Sequence, residues 1–177
     1  MVTRLVAGIV PRDEQEAADL RTALAWLGST TDIYRREKPA TPDPHLVAYV
    51  VPVDRGSGRI LLGEHLLSGR WLPPGGHVEV GEHPADAARR EAREELGVDA
   101  AVEGPVFLSV GRTVGPGSHT DVSLWFTFPL TGPAALDPRE FRAARWWGRD
   151  ELPPAVDPAY PRFLAKLTGG ATAGWPV

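Results

Sequence analysis

The chain has 177 residues, 42% hydrophobic and 24% charged, a composition that fits one globular domain and excludes a disordered chain or a coiled coil. A net charge of −4 disfavours a non-specific nucleic-acid binder, and the lack of cysteine excludes disulfides, thiolate metal sites and cysteine nucleophiles. The longest apolar run, residues 46–53, is far short of a membrane span, and the run at residues 5–10 is too short for a signal core, so a cytoplasmic protein is expected.

With 19 glycines and 18 prolines, about a fifth of the chain where ~12% is usual, short elements joined by many turns are expected. Residues 12–27 read as an amphipathic helix: Ala17, Leu20, Leu24 and Leu27 recur at helical spacing, Asp13, Glu14 and Glu16 suit its positive end, and Gly28 stops it. That helix needs a surface to cover, on its own domain or on a second subunit. The proline-rich stretch over 38–44 reads as a stiff linker. Strands follow at residues 46–53 and 59–63, joined by the hairpin-like turn 54–58; residues 71–76 read as a loop. Pro84 at a first helical position and Gly97 past the end bracket a helix of about three turns. Residues 106–110, 122–128 and 143–147 read as strands and residues 160–167 as a closing helix, a mixed α/β order. The expected organisation is an N-terminal helix and linker over residues 1–44, a main domain over 45–170 and a tail over 171–177.

The chemistry concentrates in residues 76–98. Glu91, Glu94 and Glu95 stand at i, i+3 and i+4, so three carboxylates share one helix face, while Ala88, Ala92 and Leu96 form a separate apolar stripe. Like charges at this spacing cost a few tenths of a kcal/mol per pair. A hard divalent cation, which takes carboxylate, carbonyl and water oxygens, would offset that cost. Gly75 and Gly76 allow close approach of a ligand, and Arg90 can brace the acids through its fork of donors. A solvated helix face paired with Arg89, Arg90 and Arg93 is the alternative.

The segment reads Gly-x5-Glu-x7-Arg-Glu-apolar-x-Glu-Glu-x-Gly-apolar, with Gly76, Glu82, Arg90, Glu91, Ala92, Glu94, Glu95, Gly97 and Val98 in the fixed places. It resembles the Nudix box of the Nudix hydrolases at every fixed position. The flanks agree: residues 71–76 resemble the loop leading into the box, and Arg145, Trp146 and Trp147 resemble the last strand of that family. The resemblance implies an α/β/α sandwich around a mixed sheet, here with an appended N-terminal helix. It also implies hydrolysis of a nucleoside diphosphate linked to another moiety, with magnesium or manganese as cofactor. By that resemblance Glu94, Glu95 and the Gly75 carbonyl are metal ligands. Glu91 is a further ligand or the base, and Gly76, Glu82, Arg90 and Gly97 support the box.

Some branches use an acid outside the box; Glu140 is the first candidate and Asp121 the second. His119 reads as a surface strand residue. Arg70 and Arg112 are candidate phosphate holders, and Trp71, Trp125 and Trp146 read as core. Residues 98–130 hold no tyrosine of the diadenosine polyphosphate type, while Pro116 lies near the position of the ADP-ribose type. Residues 122–126 resemble the MutT-type branch, but residues 158–161 lack its guanine-reading asparagine. The isoprenoid isomerase that shares the fold needs a cysteine that is absent here. The expected substrate is therefore a nucleoside triphosphate or an ADP-ribose-like compound, a small-molecule partner, with no nucleic acid and no membrane; a homodimer stays open. A non-catalytic nucleotide-binding sensor is the alternative, but such modules often lose box glutamates that this chain keeps.

Overall fold

Alternation along two parallel strands organises the molecule. In the computed structural model, which describes residues 1–38, 41–114, 117–132 and 134–169, β1 (His45–Asp54) and β6 (Thr120–Pro129) run parallel over nine paired positions, from His45 opposite Asp121 to Val53 opposite Pro129. Leu46, Ala48 and Val50 of β1 and Val122, Leu124, Phe126 and Phe128 of β6 face one side and join one apolar cluster. Val51, Val53 and Trp125 face the other and join a second. A strand buried on both faces reads as a continuous apolar run, and β1 does.

Around this pair stand β2 (Arg59–His65), β3 (Trp71–Leu72), β4 (Gly75–His77), β5 (Glu103–Arg112) and β7 (Phe141–Trp147). The sheet is seven-stranded among the described residues, with the order β3-β2-β1-β6-β5; β4 pairs with β1, and β7 with β2. All pairings except β1–β6 are antiparallel. β1 meets β2 only at its far end and β4 near its start, so the sheet opens between them. The candidate site lies on that side. The loop reading of residues 71–76 is corrected here: the segment contains β3 and starts β4, strands too short to carry a period of their own.

Ala87, Ala88 and Ala92 of α3 (Pro84–Leu96) pack on the first face, and Tyr160, Phe163 and Leu164 of α4 (Tyr160–Thr168) on the second. The result is a mixed sheet between helical layers, the α/β/α sandwich with an appended N-terminal helical segment. Trp125 is wholly buried, while Trp71 and Trp146 are partly buried against apolar clusters. Pro116, residues 39 and 40 within the expected linker, and the tail 171–177 lie outside the described residues.

Two features at the N-terminus depart from the sequence expectation. α1 (Val2–Ala7) precedes the expected helix, and Val2, Val6 and Ile9 are buried on the first face. A six-residue helix has no stability of its own, so packing forms it. α2 (Glu14–Ser29) then runs through Gly28, which is exposed, and ends only where Thr30 turns extended. Glycine in an exposed helix turn costs about 1 kcal/mol and does not by itself stop the helix. Asp13 caps α2 by accepting the Glu16 N–H at 2.7 Å.

The face α2 buries includes Glu16 and Asp19 beside Leu20 and Ala23. Those acids are paired from α4: Lys166 Nζ donates to Glu16, and Arg162 reaches Asp13 at 2.9 Å and Asp19 at 3.5 Å. The N-terminal segment therefore packs on its own chain. Deleting residues 1–30 should uncover the first face and leave Lys166 and Arg162 without these acids. Urea denaturation should read a stability loss of about 5 kcal/mol or more, with lower solubility. An unchanged denaturation midpoint would show the segment to be dispensable.

Candidate active site

The acidic cluster is built by α3 and the glycine turn beneath it. His83 accepts the Ala85 N–H at 3.1 Å and Pro84 opens the helix, while Gly97 closes it in the left-handed conformation at φ 67°. Glu91 and Glu95 are buried, at 7% and 5% exposure, and Glu94 is exposed. The separation follows from the helix: Glu91 and Glu95 lie one turn apart above β4, and Glu94 is rotated toward solvent. The Gly75 N–H donates to Glu95 Oε2 at 3.1 Å. At Gly76 a Cβ would stand 2.4 Å from Glu91 Oε1, so the glycine lets β4 approach this carboxylate without displacing it.

Arg90 ties the loop to the helix. Its Nε and Nη2 donate to Glu82 at 3.0 Å each, Nη2 also to the His77 carbonyl at 3.1 Å, and Nη1 to Glu91 at 2.7 Å and Glu94 at 3.3 Å. Burial pushes the Glu82 carboxyl up, but the Arg90 bonds and charge together with the Glu79 N–H hold it below the ordinary value. The Glu82 bonds also raise the Arg90 guanidinium further above its ordinary value. Glu91 is raised by burial, against the pull of Arg90. Glu95 is pushed up to about 9, first by burial and then by the charges of Glu91 and Glu140.

Glu140 comes to this cluster from a distant loop. Its charge helps to raise Glu95, and it borders both clefts that Glu95 lines. The loop is anchored: the Asp137 N–H donates to the Glu95 carbonyl and the Leu66 N–H to the Glu140 carbonyl, each at 2.8 Å. Gly63 in β2 makes room for it, since a Cβ there would lie 2.3 Å from the Phe141 ring and 2.4 Å from Leu136. Beside the resemblance that pointed to Glu140, that glycine is a sequence signal for the loop's close approach, and only the fold gives it a meaning.

Arg70 and Arg112, 42 positions apart, border one cavity of about 530 Å³ with Tyr49, Ser109, Ser123 and Asp121. Its volume is that of an ordinary small-molecule site. Tyr49, Leu72 and Asp121 also border the smaller cleft that holds Gly75, Glu95 and Glu140, so the cavity adjoins the acids.

Asp121 itself faces histidines. His119 Nε2 lies 3.2 Å and His45 Nε2 3.5 Å from Asp121 Oδ1, and the His77 ring centroid is 4.8 Å from that of His45. This corrects the reading of His119 as a surface strand residue: its side chain is 12% exposed and turned into the fold. Burial lowers His45 and takes His77 down to about 3, and it lifts Asp121 to about 6. The sequence carries no spacing that links residues 45, 77 and 119, and strand register alone unites them.

Sandwich, glycine turn and acidic helix together define the chain as a phosphohydrolase of the Nudix class. The NUDIX domain family model matches residues 43–167, and the chain belongs to that family. An RNA pyrophosphohydrolase of Rhodospirillum rubrum is 32% identical over 160 residues, covering 74% of this chain and 96% of its own. A Bacillus subtilis protein assigned provisionally as an 8-oxo-dGTP diphosphatase is 30% identical, over 70% of this chain and 80% of its own. The solved structure of the Escherichia coli dihydroneopterin triphosphate pyrophosphohydrolase matches with a TM-score of 0.61 at 18% identity, over 71% of this chain and 95% of that one. No helix among the described residues is long and apolar enough to cross a membrane.

Proposed function

We propose that the chain hydrolyses the diphosphate linkage of a nucleoside triphosphate, with magnesium or manganese as cofactor and Glu91, Glu94, Glu95 and the Gly75 carbonyl as the residues that would hold it. The observation that carries the reading is the meeting of Glu91, Glu95 and Glu140 beside the cavity that Arg70 and Arg112 border. The donor set is oxygen-only, which suits a hard divalent cation. The missing Cβ of Gly76 leaves Glu91 unobstructed, and buried Glu95 at about 9 is a carboxyl short of positive charge. When bound, the ion neutralises charge on the phosphate oxygens.

The chain's own residues divide the remaining work. Arg70 and Arg112 hold phosphate oxygens that lie on the cavity side, and Tyr49 walls the base or sugar. Glu140 takes the proton of the attacking water as its oxygen bonds to phosphorus and the bridging P–O bond breaks. Glu82 and Arg90 keep helix and glycine turn in register and touch no substrate.

A second substrate is favoured by one observation: the RNA pyrophosphohydrolase of R. rubrum aligns over 96% of its length. The net charge of −4 disfavours binding along a nucleic-acid backbone. Attack at a 5′-triphosphate end needs no such contact, so charge alone does not exclude RNA ends. Phosphate and pyrophosphate release should be measured over nucleoside triphosphates, ADP-ribose and a 5′-triphosphorylated RNA oligonucleotide, with and without magnesium. The expected result is magnesium-dependent release, fastest with a triphosphate. Faster cleavage of ADP-ribose would overturn the triphosphate assignment.

A further inference from the structure

The box acids are not the only group of side chains built to hold a cation. His45, His77, His119 and Asp121 each offer one ligand atom, and these four atoms lie within 4.8 Å of one another. Strand register makes the cluster. His45 pairs with Asp121 across β1 and β6, and Val47, two residues on, pairs with His77 across β1 and β4. The pleat keeps His45, His77 and Asp121 on one face of the sheet, and His119, one residue before β6, turns its Nε2 to within 3.2 Å of Asp121 Oδ1 on that face.

The hydrogen bonds leave the ligand atoms with nothing to bind. His45 Nδ1 lies 2.7 Å from the Pro42 carbonyl, and His119 Nδ1 lies 2.8 Å from the Gly117 carbonyl. A carbonyl only accepts, so each Nδ1 carries the proton, and each neutral ring presents a bare lone pair at Nε2. Nε2 of His45, His77 and His119 and Oδ1 of Asp121 are buried, and none has a hydrogen-bond partner. The His45 side chain is wholly buried. Acceptors converging without a donor repel, and buried polar atoms are ordinarily satisfied. The closeness of His119 to Asp121 still leaves Nε2 of His45 and His77 without a hydrogen-bond partner. Arg35 and Lys38 add positive potential at His77, which opposes a further imidazolium charge as well as a metal.

We propose that these four residues form a second metal centre, separate from the box acids, that takes one zinc-class divalent ion in a closed tetrahedral shell. Three imidazoles and one carboxylate suit zinc rather than magnesium, and four protein ligands leave no open position, the pattern of a structural site. Ligand atoms about 2.0–2.1 Å from a tetrahedral ion stand roughly 3.3–3.4 Å apart. The two Nε2–Oδ1 separations, 3.2 and 3.5 Å, bracket that value. The Nδ1–carbonyl bonds orient two of the rings, as outer partners of ligating histidines do. The centre would clamp the start of β1 and β6 to β4, one residue from Gly76, so it is a positioning device for the glycine turn and not a catalytic group.

The test uses the full chain, stripped with chelator and titrated with zinc, or with cobalt(II) as a spectroscopic substitute, in excess magnesium. One equivalent should bind, with the intense visible absorption of tetrahedral cobalt and a raised melting temperature. Glu94→Gln and Glu95→Gln should keep that signal. His119→Gln and Asp121→Asn should weaken binding by about 10²-fold or more. His119 lies at the strand entrance, so its variant remains informative where His45→Gln fails to fold. The absence of a stoichiometric tetrahedral signal would overturn the proposal. So would a signal lost in Glu94→Gln or Glu95→Gln and retained in His119→Gln.

Discussion

Glu94→Gln and Glu95→Gln should each reduce turnover by about 10³-fold while the fold survives. The amide keeps the size and the acceptor oxygen of the carboxylate and removes its charge, so what is lost is affinity for a hard cation and for the charge it neutralises. The two positions separate the causes. Glu94 is exposed and pairs with Arg90, so its variant removes a charge with little change in packing. Glu95 is buried and accepts the Gly75 N–H, and the glutamine oxygen can still accept it. Because Glu91, Glu95 and Glu140 crowd one another, Glu95→Gln should hold or raise the melting temperature in chelator. Wild-type protein should melt higher with millimolar magnesium or manganese, through preferential binding to the folded state, and both variants should lose most of that rise. Retention of most activity by both would remove the box acids from the proposed metal site.

The second large effect falls outside the box. Glu140→Gln should lower kcat by about 10²-fold at saturating metal and substrate, in line with loss of a general base, with little change in melting temperature. Glu140 shares two clefts with Glu95, whereas Asp121 Oδ1 is turned to His45 and His119. Asp121→Asn should therefore cost less in kcat and more in melting temperature, because it disrupts a buried cluster. The paired comparison of rate and melting decides the order. A larger rate loss in Asp121→Asn would make Asp121 the base, and no loss in either would leave Glu91 in that role.

Local chemistry makes α3 legible in the sequence alone. Pro84 and Gly97 bound it, the alanine stripe marks its buried face, and helical spacing by itself puts Glu91, Glu94 and Glu95 together. The same is true of β1, β2, β5, β6, β7 and α4, whose apolar runs or stripes are long enough to mark an element. The short elements are not legible. α1 and the two- and three-residue strands β3 and β4 carry no period, and they exist because a partner strand or an apolar face receives them.

The family resemblance named Glu140 as a candidate, but how distant residues come to share a site was decided by tertiary structure. Nothing near Glu16 or Asp19 announces burial on α2; Lys166 and Arg162 arrive from α4, about 150 residues away, and make that burial tolerable. Glu140 stands among the box acids because Gly63 yields space to Phe141. His45, His77 and His119 converge because β1 binds β6 on one side and β4 on the other. A sequence records what a residue does to its neighbours within a turn or a pleat. Contacts between strands depend on register, and register is set by the packing of the whole sheet.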